Sequence, residues 1–475
     1  MIPGVFFMPD THPASSFGQP SQPAVKLSLF DAASIIVGII IGAGFLRAAP
    51  TVAAWAGSVP ATLLVWAVGA AIALCGAMCY AEMATRFPQD GGDYLFLSRS
   101  FGRRVGFLFA WTSLLVVRPG NIGIMAVVFA EYAVRLVDLP GVGIGPDAQL
   151  YWAMASILFA TAVNLIGLSG GRLTQNLLTV AKVAGLLALF GAAALLPTTR
   201  DVSPVAADAE TGSGWLGALV LVMFAYGGWA DVTYVAAEVR NPRRNLWRAL
   251  LLGTSAVATI YLLGTLAFFR ALGFEGVAGS RAVAVDVLGQ TLGDAAGRAM
   301  ALLVCVACLG AINGMVLTGG RVFFAIGQDH RVFKWLGRKS SRGDTPTRSL
   351  ITQSAVTIVL LWFFSRYPDG FEKMVNFTGP IFWLFFLLAG LAVFRLRRSL
   401  RTDSGYHVPL YPVTPILFCL SSVFMLWQTV QYAWQNKSVE AFWTLGSVVV
   451  GIAVVLFGPS TAPPSNASQS GEGAK

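Results

Sequence analysis

The chain has 475 residues, of which 56% are hydrophobic and 12% charged, against about 45–50% and about 25% in a soluble domain. This excludes a soluble globular protein, and also a disordered one, which needs low hydrophobicity and high charge; an integral membrane protein remains. The 33 Lys and Arg against 23 Asp and Glu give a net charge of +10, which fits basic cytoplasmic loops better than nucleic-acid binding.

Met1 to Ser28 is rich in Pro, Ser and Gln and has no basic start followed by a long apolar run, so it reads as a floppy tail and not a signal peptide. A membrane-crossing helix needs about 20 largely apolar residues. Twelve such runs follow: Phe30 to Pro50, Val59 to Ala84, Val105 to Val134, Tyr151 to Leu168, Leu177 to Pro197, Trp215 to Ala237, Leu246 to Phe269, Arg298 to Ile326, Leu350 to Phe364, Val375 to Phe394, Val413 to Ala433 and Phe442 to Gly458. The expected fold class is therefore an all-α polytopic membrane protein with twelve transmembrane helices. One transmembrane domain fills 30–458, between a tail at 1–29 and another at 459–475. Short loops leave no room for a separate soluble domain.

Lys and Arg near span ends are retained on the cytoplasmic side. With the N-terminus inside, 21 of these cations fall in inner segments, among them Arg240, Arg243, Arg244 and Arg248, and nine in outer ones, among them Arg47 and Arg135. Both termini are thus expected to be cytoplasmic, in the cell membrane, or in the inner membrane of a Gram-negative cell. Arg118, Lys182 and Arg321 lie within spans or at their margins and belong to neither set.

The first span contains Ile40-Ile41-Gly42-Ala43-Gly44 and the sixth Phe224-Ala225-Tyr226-Gly227-Gly228-Trp229. Glycine inside a helix costs about 1 kcal/mol relative to alanine and lets the backbone unwind. Spans one and six are corresponding members of two five-span halves, the pattern of inverted repeats with discontinuous helices. Freed N–H groups at the start of a half-helix suit an anion, and carbonyls at the end of the preceding half suit an ammonium. A zwitterionic amino acid fits both. Close helix packing also uses small residues, so the glycines alone leave that reading open.

Cys75, Cys79, Cys305, Cys308 and Cys419 all lie in apolar runs, so a disulfide framework is not expected, and Cys305-x-x-Cys308 lacks a second pair or a nearby histidine for a metal. The histidines, His12, His330 and His407, lie outside the spans, and no set of catalytic groups converges. Neither an enzyme nor a cofactor is indicated. Glu82, Asp90 and Asp93 sit in a basic segment and read as a charge-paired gate element.

Cys79-Tyr80-Ala81-Glu82-Met83-Ala84, Phe87-Pro88, Gly91-Gly92-Asp93-Tyr94 and Phe101-Gly102 resemble the segment joining spans two and three in amino-acid permeases of the amino acid, polyamine and organocation superfamily. The chain is most similar to the L-type amino-acid transporter branch. Further similar strings are Arg118-Pro119, Phe224 to Trp229 followed by Glu238, Asn241-Pro242, Ala282 to Asp286, Asn313-Gly314 and Arg321-Val322-Phe323-Phe324.

The resemblance implies a LeuT-like fold of two inverted repeats, about 30–197 and 215–397, with two extra helices at about 411–458. It implies an amino-acid permease working by alternating access. Substrate carboxylate would meet the backbone of Ile40, Ile41, Gly42, Ala43 and Gly44. The amine would meet carbonyls near Ile40, Phe224, Ala225, Gly227 and Gly228, with Phe224 as an aromatic gate.

Lys182 lies in the fifth run, and a cation in the bilayer interior costs several kcal/mol and needs a partner or a carbonyl cage. Sodium-coupled members of the fold place an ion between spans one, five and eight, and related sodium-independent permeases carry a lysine there. The resemblance therefore implies that the Lys182 ammonium replaces sodium, either as a fixed cation or as the carrier of a coupling proton.

Three departures stand out. Ala43 replaces the usual Ser or Thr between the glycines, Ala230-Asp231 stands where the branch often has Asn, and Arg47 occupies a position usually apolar. Arg47 and Asp231 are candidates for selectivity or gating, by pairing with each other or by Arg47 facing substrate. Animal members of the branch bind a single-span glycoprotein through a cysteine between spans three and four; Arg135 to Gln149 has none, so no disulfide-linked heavy chain is expected. The competing reading is a transporter of polyamines or other organic cations, for which Asp231 speaks and against which Arg47 speaks.

Overall fold

The structure is a computed structural model that describes residues 26–136, 146–195, 214–280, 282–338, 345–367, 370–399, 405–435 and 439–457. Residues 1–25 of the first expected tail, the whole of the second at 459–475, and the middle of the loop between spans three and four lie outside these. Residues 26–29 do not belong to a tail. Leu27 is fully buried and pairs with Val239, its N–H donating to Glu238 O (2.7 Å) while Arg240 N–H donates to Leu27 O (2.8 Å).

Ser28 starts helix α1 (Leu29–Ile40) with a capping box: the Asp31 N–H donates to Ser28 Oγ, and the Ser28 N–H to Asp31 Oδ2. After the break at 41–43 the chain continues as α2 (Gly44–Ala56), bent by 51° from α1. α2 ends at Gly57 in the left-handed region (φ 77°), a conformation glycine adopts without a Cβ penalty. Then come α3 (Val59–Arg86), the short α4 (Asp93–Phe101), α5 (Arg103–Thr112), a π-helical turn (Ser113–Val117) and α6 (Arg118–Leu136). Pro119 has no N–H for the α-helical ladder, and the Arg118 N–H reaches back to Ser113 O, the wider spacing of a π turn.

α7 (Pro146–Leu165) and α8 (Leu168–Leu195) close the first half. The second comprises α9 (Gly214–Ala225), a 3-10 segment (Trp229–Glu238), α10 (Pro242–Ala278), the short α11 (Val283–Leu292), α12 (Ala296–Asp329), α13 (Thr347–Phe364) and α14 (Gly370–Ser399). α15 (Val413–Gln435) and α16 (Val439–Phe457) follow. Among the described residues, eleven stretches are long and apolar enough to cross a membrane, and the bent α1/α2 pair makes a twelfth, in agreement with the runs marked in the sequence.

The spans sort into two packed groups. α1/α2, α3, α9 with its 3-10 segment, and α10 lie against one another as a bundle; α6, α7, α12 and α13 form a scaffold. α8 touches α1, α10 and α12, so it stands at the seam. The fold is LeuT-like, with spans one and six broken and two spans added at the C-terminus.

Candidate functional site

In an unbroken helix the Gly42 N–H would bond Gly38 O. Here it turns to Ile40 O (2.8 Å), and Ile41 leaves the helical region (φ −76°, ψ 79°). Each carbonyl released by the break must find another donor inside the protein. Gly38 O and Ile41 O both accept from Lys182 Nζ at 2.8 Å, and Ala307 O of α12 accepts the third bond at 2.9 Å. An ammonium has three donors and no acceptor, so all three protons are used. The lysine is fully buried, and its cage spans α1, α8 and α12. Gly310 leaves room for it, since a Cβ there would lie 2.6 Å from Nζ.

Ile40 O accepts from the hydroxyl of Tyr261 on α10 (3.1 Å), and the same hydroxyl lies 3.2 Å from Ala225 O at the end of α9. Tyr261 therefore ties together the carbonyl ends of both broken spans. Its ring stacks on Phe45 (4.4 Å between centroids, 7° between planes), with Trp66 packed edge-on to both. From Gly44 onward the first N–H groups of α2 have no carbonyl within their own helix, as at any helix start.

In span six, the Gly227 N–H donates to Phe224 O (3.2 Å), and Gly228 takes φ 111°. A Cβ on Gly228 would meet Ile39 Cγ2 at 2.6 Å, so glycine is required both for the turn and for the approach of α1. A Cβ on Gly44 would lie 3.6 Å from Ala225 Cα. The backbone from Ile40 to Gly44 thus stands next to Ala225, Gly227 and Gly228, and the structure brings the two strings together. Phe224 is 37% exposed and packs edge-on against Trp383 of α14. Behind Gly227 a cavity of about 10 Å³, lined by Ile72, Tyr226, Trp229 and Phe386 among others, is no larger than one water.

Arg47 and Asp231 do not pair with each other, because α2 and the 3-10 segment run away from the breaks in opposite directions. Both pair with α6. Asp231 accepts a bidentate pair of bonds from Arg118 (2.9 and 3.0 Å), whose guanidinium also reaches Thr318 Oγ1 (3.4 Å) and lies over the Tyr234 ring. These side chains are 7% and 13% exposed. Arg47 meets Glu131 at 3.4 Å with exposures of 52% and 31%.

The acidic group expected to be charge-paired is split three ways. Glu82 is paired, with Arg86 and Arg397, and also accepts the Val408 N–H. Asp90 accepts the Ala237 N–H (3.0 Å). Asp93 accepts from two tyrosine hydroxyls, Tyr80 of α3 and Tyr234 of the 3-10 segment. Beside it, the Tyr94 hydroxyl donates to Asp329 (2.7 Å) and lies 3.0 Å from His330 Nε2. Apart from Arg86 and Tyr80 of α3, four and thirteen residues from the acids they meet, the spacing of these acids along the chain says nothing of their partners, which lie far away in sequence on α14, the 3-10 segment and the loop before α15. No cluster of three or more His, Cys, Asp or Glu suited to a metal occurs among the described residues.

The sequence reading missed Tyr261, Glu131 and Thr318. Tyr261 left one trace, as the lone tyrosine in the run Leu246 to Phe269.

Two broken spans meeting at the centre of a twelve-span bundle, with a caged ammonium beside them, define a multi-pass membrane protein built to transport and not to catalyse. The family model described as amino acid permease matches residues 27–458, and the chain belongs to that family. It is 31% identical to the b(0,+)-type amino acid transporter 1 of Mus musculus over 84% of this chain and 82% of that protein. The serine/threonine exchanger SteT of Bacillus subtilis is 26% identical, covering 85% of this chain and 91% of its own. The large neutral amino acids transporter small subunit 2 of Rattus norvegicus is 29% identical, covering 88% and 79%.

Proposed function

We propose that this protein moves amino acids across the cytoplasmic membrane by alternating access, without sodium, as an exchanger. The observation that carries this reading is the Lys182 cage. A neutral amine has only two protons to donate, so deprotonation would withdraw one of the three bonds to Gly38 O, Ile41 O and Ala307 O inside a buried site. That favours a permanent cation where sodium-coupled relatives of the fold hold a mobile one. The name of the SteT relative, an exchanger, points the same way. Proton symport through Lys182 is the second reading.

In this proposal substrate carboxylate meets the N–H groups at Ala43 and Gly44. Its amine takes carbonyls from Ile40, Phe224 or Gly227, and Phe224 closes over it. The engagement of Asp231 by Arg118 removes the anion that recommended polyamines. The cation asymmetry of the loops supports placing the Ser28 end, α4 and the Asp231 half of span six on the cytoplasmic side. Arg118–Asp231 is then the inner gate and Arg47–Glu131 the outer one. Without a cysteine in Arg135 to Gln149, the protein works without a disulfide-linked heavy chain in this proposal, although one relative is named as a small subunit.

The test is uptake of a labelled amino-acid mixture into proteoliposomes, either empty under an inward proton gradient or preloaded with unlabelled amino acids at equal pH. Uptake that needs preloading supports exchange. Accumulation driven by the gradient alone replaces it with symport, and uptake in neither condition overturns the amino-acid reading.

A further inference from the structure

Asp93 and Tyr94 are consecutive, yet they hold opposite parts of the molecule. Asp93 is bonded to the bundle, through Tyr80 on α3 and Tyr234 on the 3-10 segment. Tyr94 is bonded to the end of scaffold helix α12, through Asp329 and His330. α4 also packs on α5 and α14. In the alternating-access reading the 3-10 segment swings away to open the inner side, and α4, held by α5, α12 and α14, would stay behind while Asp93 exchanges Tyr234 for water.

The carboxylate is only 2% exposed and its two ligands are neutral phenols. From α6, Arg118 favours the charged carboxylate across space, but it spends its fork on Asp231, which adds negative charge in opposition. From α14, Arg397 is held by Glu82 and Arg395 lies over Phe101. A buried carboxylate without a counter-ion in contact disfavours its charged form.

We propose that Asp93 is a proton-binding site facing the cytoplasm, which takes its proton from cytoplasmic water and holds it while the inner gate is shut. This rests on the alternating-access reading above.

The sign follows from the two states. Burial pushes Asp93 up to about 6 with the gate shut, while a hydrated carboxylate lies near 4. The proton therefore binds more tightly to the shut state, and acid shuts the gate. Above pH 7 neither state is protonated and nothing changes. At inner pH 5 the shut-to-open ratio rises about tenfold. His330 responds with the opposite sign, because burial holds its imidazole below the usual value and acid then favours its exposure.

The experiment is amino-acid exchange in proteoliposomes with outer pH fixed at 7.5 and inner pH stepped from 7.5 to 5, each variant normalised to its own rate at 7.5. Wild-type exchange should slow by up to about tenfold. Asp93→Asn should flatten the profile, and His330→Asn should keep the slowing. Tyr234→Phe, which removes a donor to the carboxylate, should move the midpoint to higher pH. A profile that survives Asp93→Asn, or one that accelerates with acid, overturns the proposal. Absence of exchange at pH 7.5 overturns the transport reading instead.

Discussion

Arg118 and Glu131 stand on the same helix, thirteen residues apart, and each is paired with a different broken span: Arg118 with Asp231 of span six, Glu131 with Arg47 of span one. At about 1.5 Å per residue the two pairs are separated by roughly 20 Å along α6. One scaffold helix thus carries opposite charges at two depths, each facing a half-helix of the bundle.

The two pairs differ in burial, and their effects should differ accordingly. Removing one partner of a buried pair costs about 3–5 kcal/mol, so Asp231→Ala should strongly favour the state open to the cytoplasm. The inner KM for exchange should fall relative to the outer KM, and the swap Arg118→Asp with Asp231→Arg should recover part of the ratio. If the ratio does not move, the pair is not a gate.

Arg47–Glu131 is exposed, and such pairs contribute about 0.2–1 kcal/mol. Arg47→Ala should change the outer KM by less than about fivefold, and raised salt should mimic it in the wild type. A loss of transport, beyond a change in the outer KM, would show that Arg47 touches substrate.

Lys182→Ala leaves three buried carbonyls without their donor, each costing about 1–3 kcal/mol. Transport should fall at least tenfold, with a lower melting temperature measured in detergent. Gly310→Ala should produce the same defect although it adds a single methyl group, because that methyl falls 2.6 Å from Nζ. Normal transport by Gly310→Ala would mean that the ammonium can work from another position.

One glycine from each break should respond differently to alanine. Gly228→Ala combines φ 111° with a 2.6 Å approach to Ile39, so transport should be lost. At Gly44 a Cβ makes only ordinary contacts with Ala225, at 3.6 and 3.9 Å, so Gly44→Ala should reach the membrane in normal amount with weakened substrate binding. Gly44→Val should abolish uptake. Normal uptake by Gly44→Val would sink the carboxylate assignment.

Much of this architecture is written locally in the chain. Spans need only apolar runs, and the breaks need only glycines in otherwise helical strings, so both could be marked from the sequence. Lys182 stood out because a cation in lipid must have a reason to be there. The contacts that complete the site are a different matter. Tyr261 lies 221 residues from Ile40 and Glu131 lies 84 from Arg47, and nothing in their neighbourhoods says which helix they will face. Arg47 and Asp231 showed the same limit: their charges suggested pairing with each other, but helix direction decided otherwise. The π turn before Arg118 and the short helices α4 and α11 were also invisible to hydropathy, because their role depends on neighbours and not on lipid.

The ammonium of Lys182 is held by covalent bonds as well as by its cage. A diffusible ion fills such a place only part of the time, in proportion to its concentration outside, and leaving on the other side lets it perform work. A tethered one is present at every moment and can never depart. Under the exchange reading the site is therefore always assembled, whatever the salinity of the medium, and a sodium gradient has nothing to grip. On that reading, the direction of net movement is then set by the relative abundance of the solutes themselves.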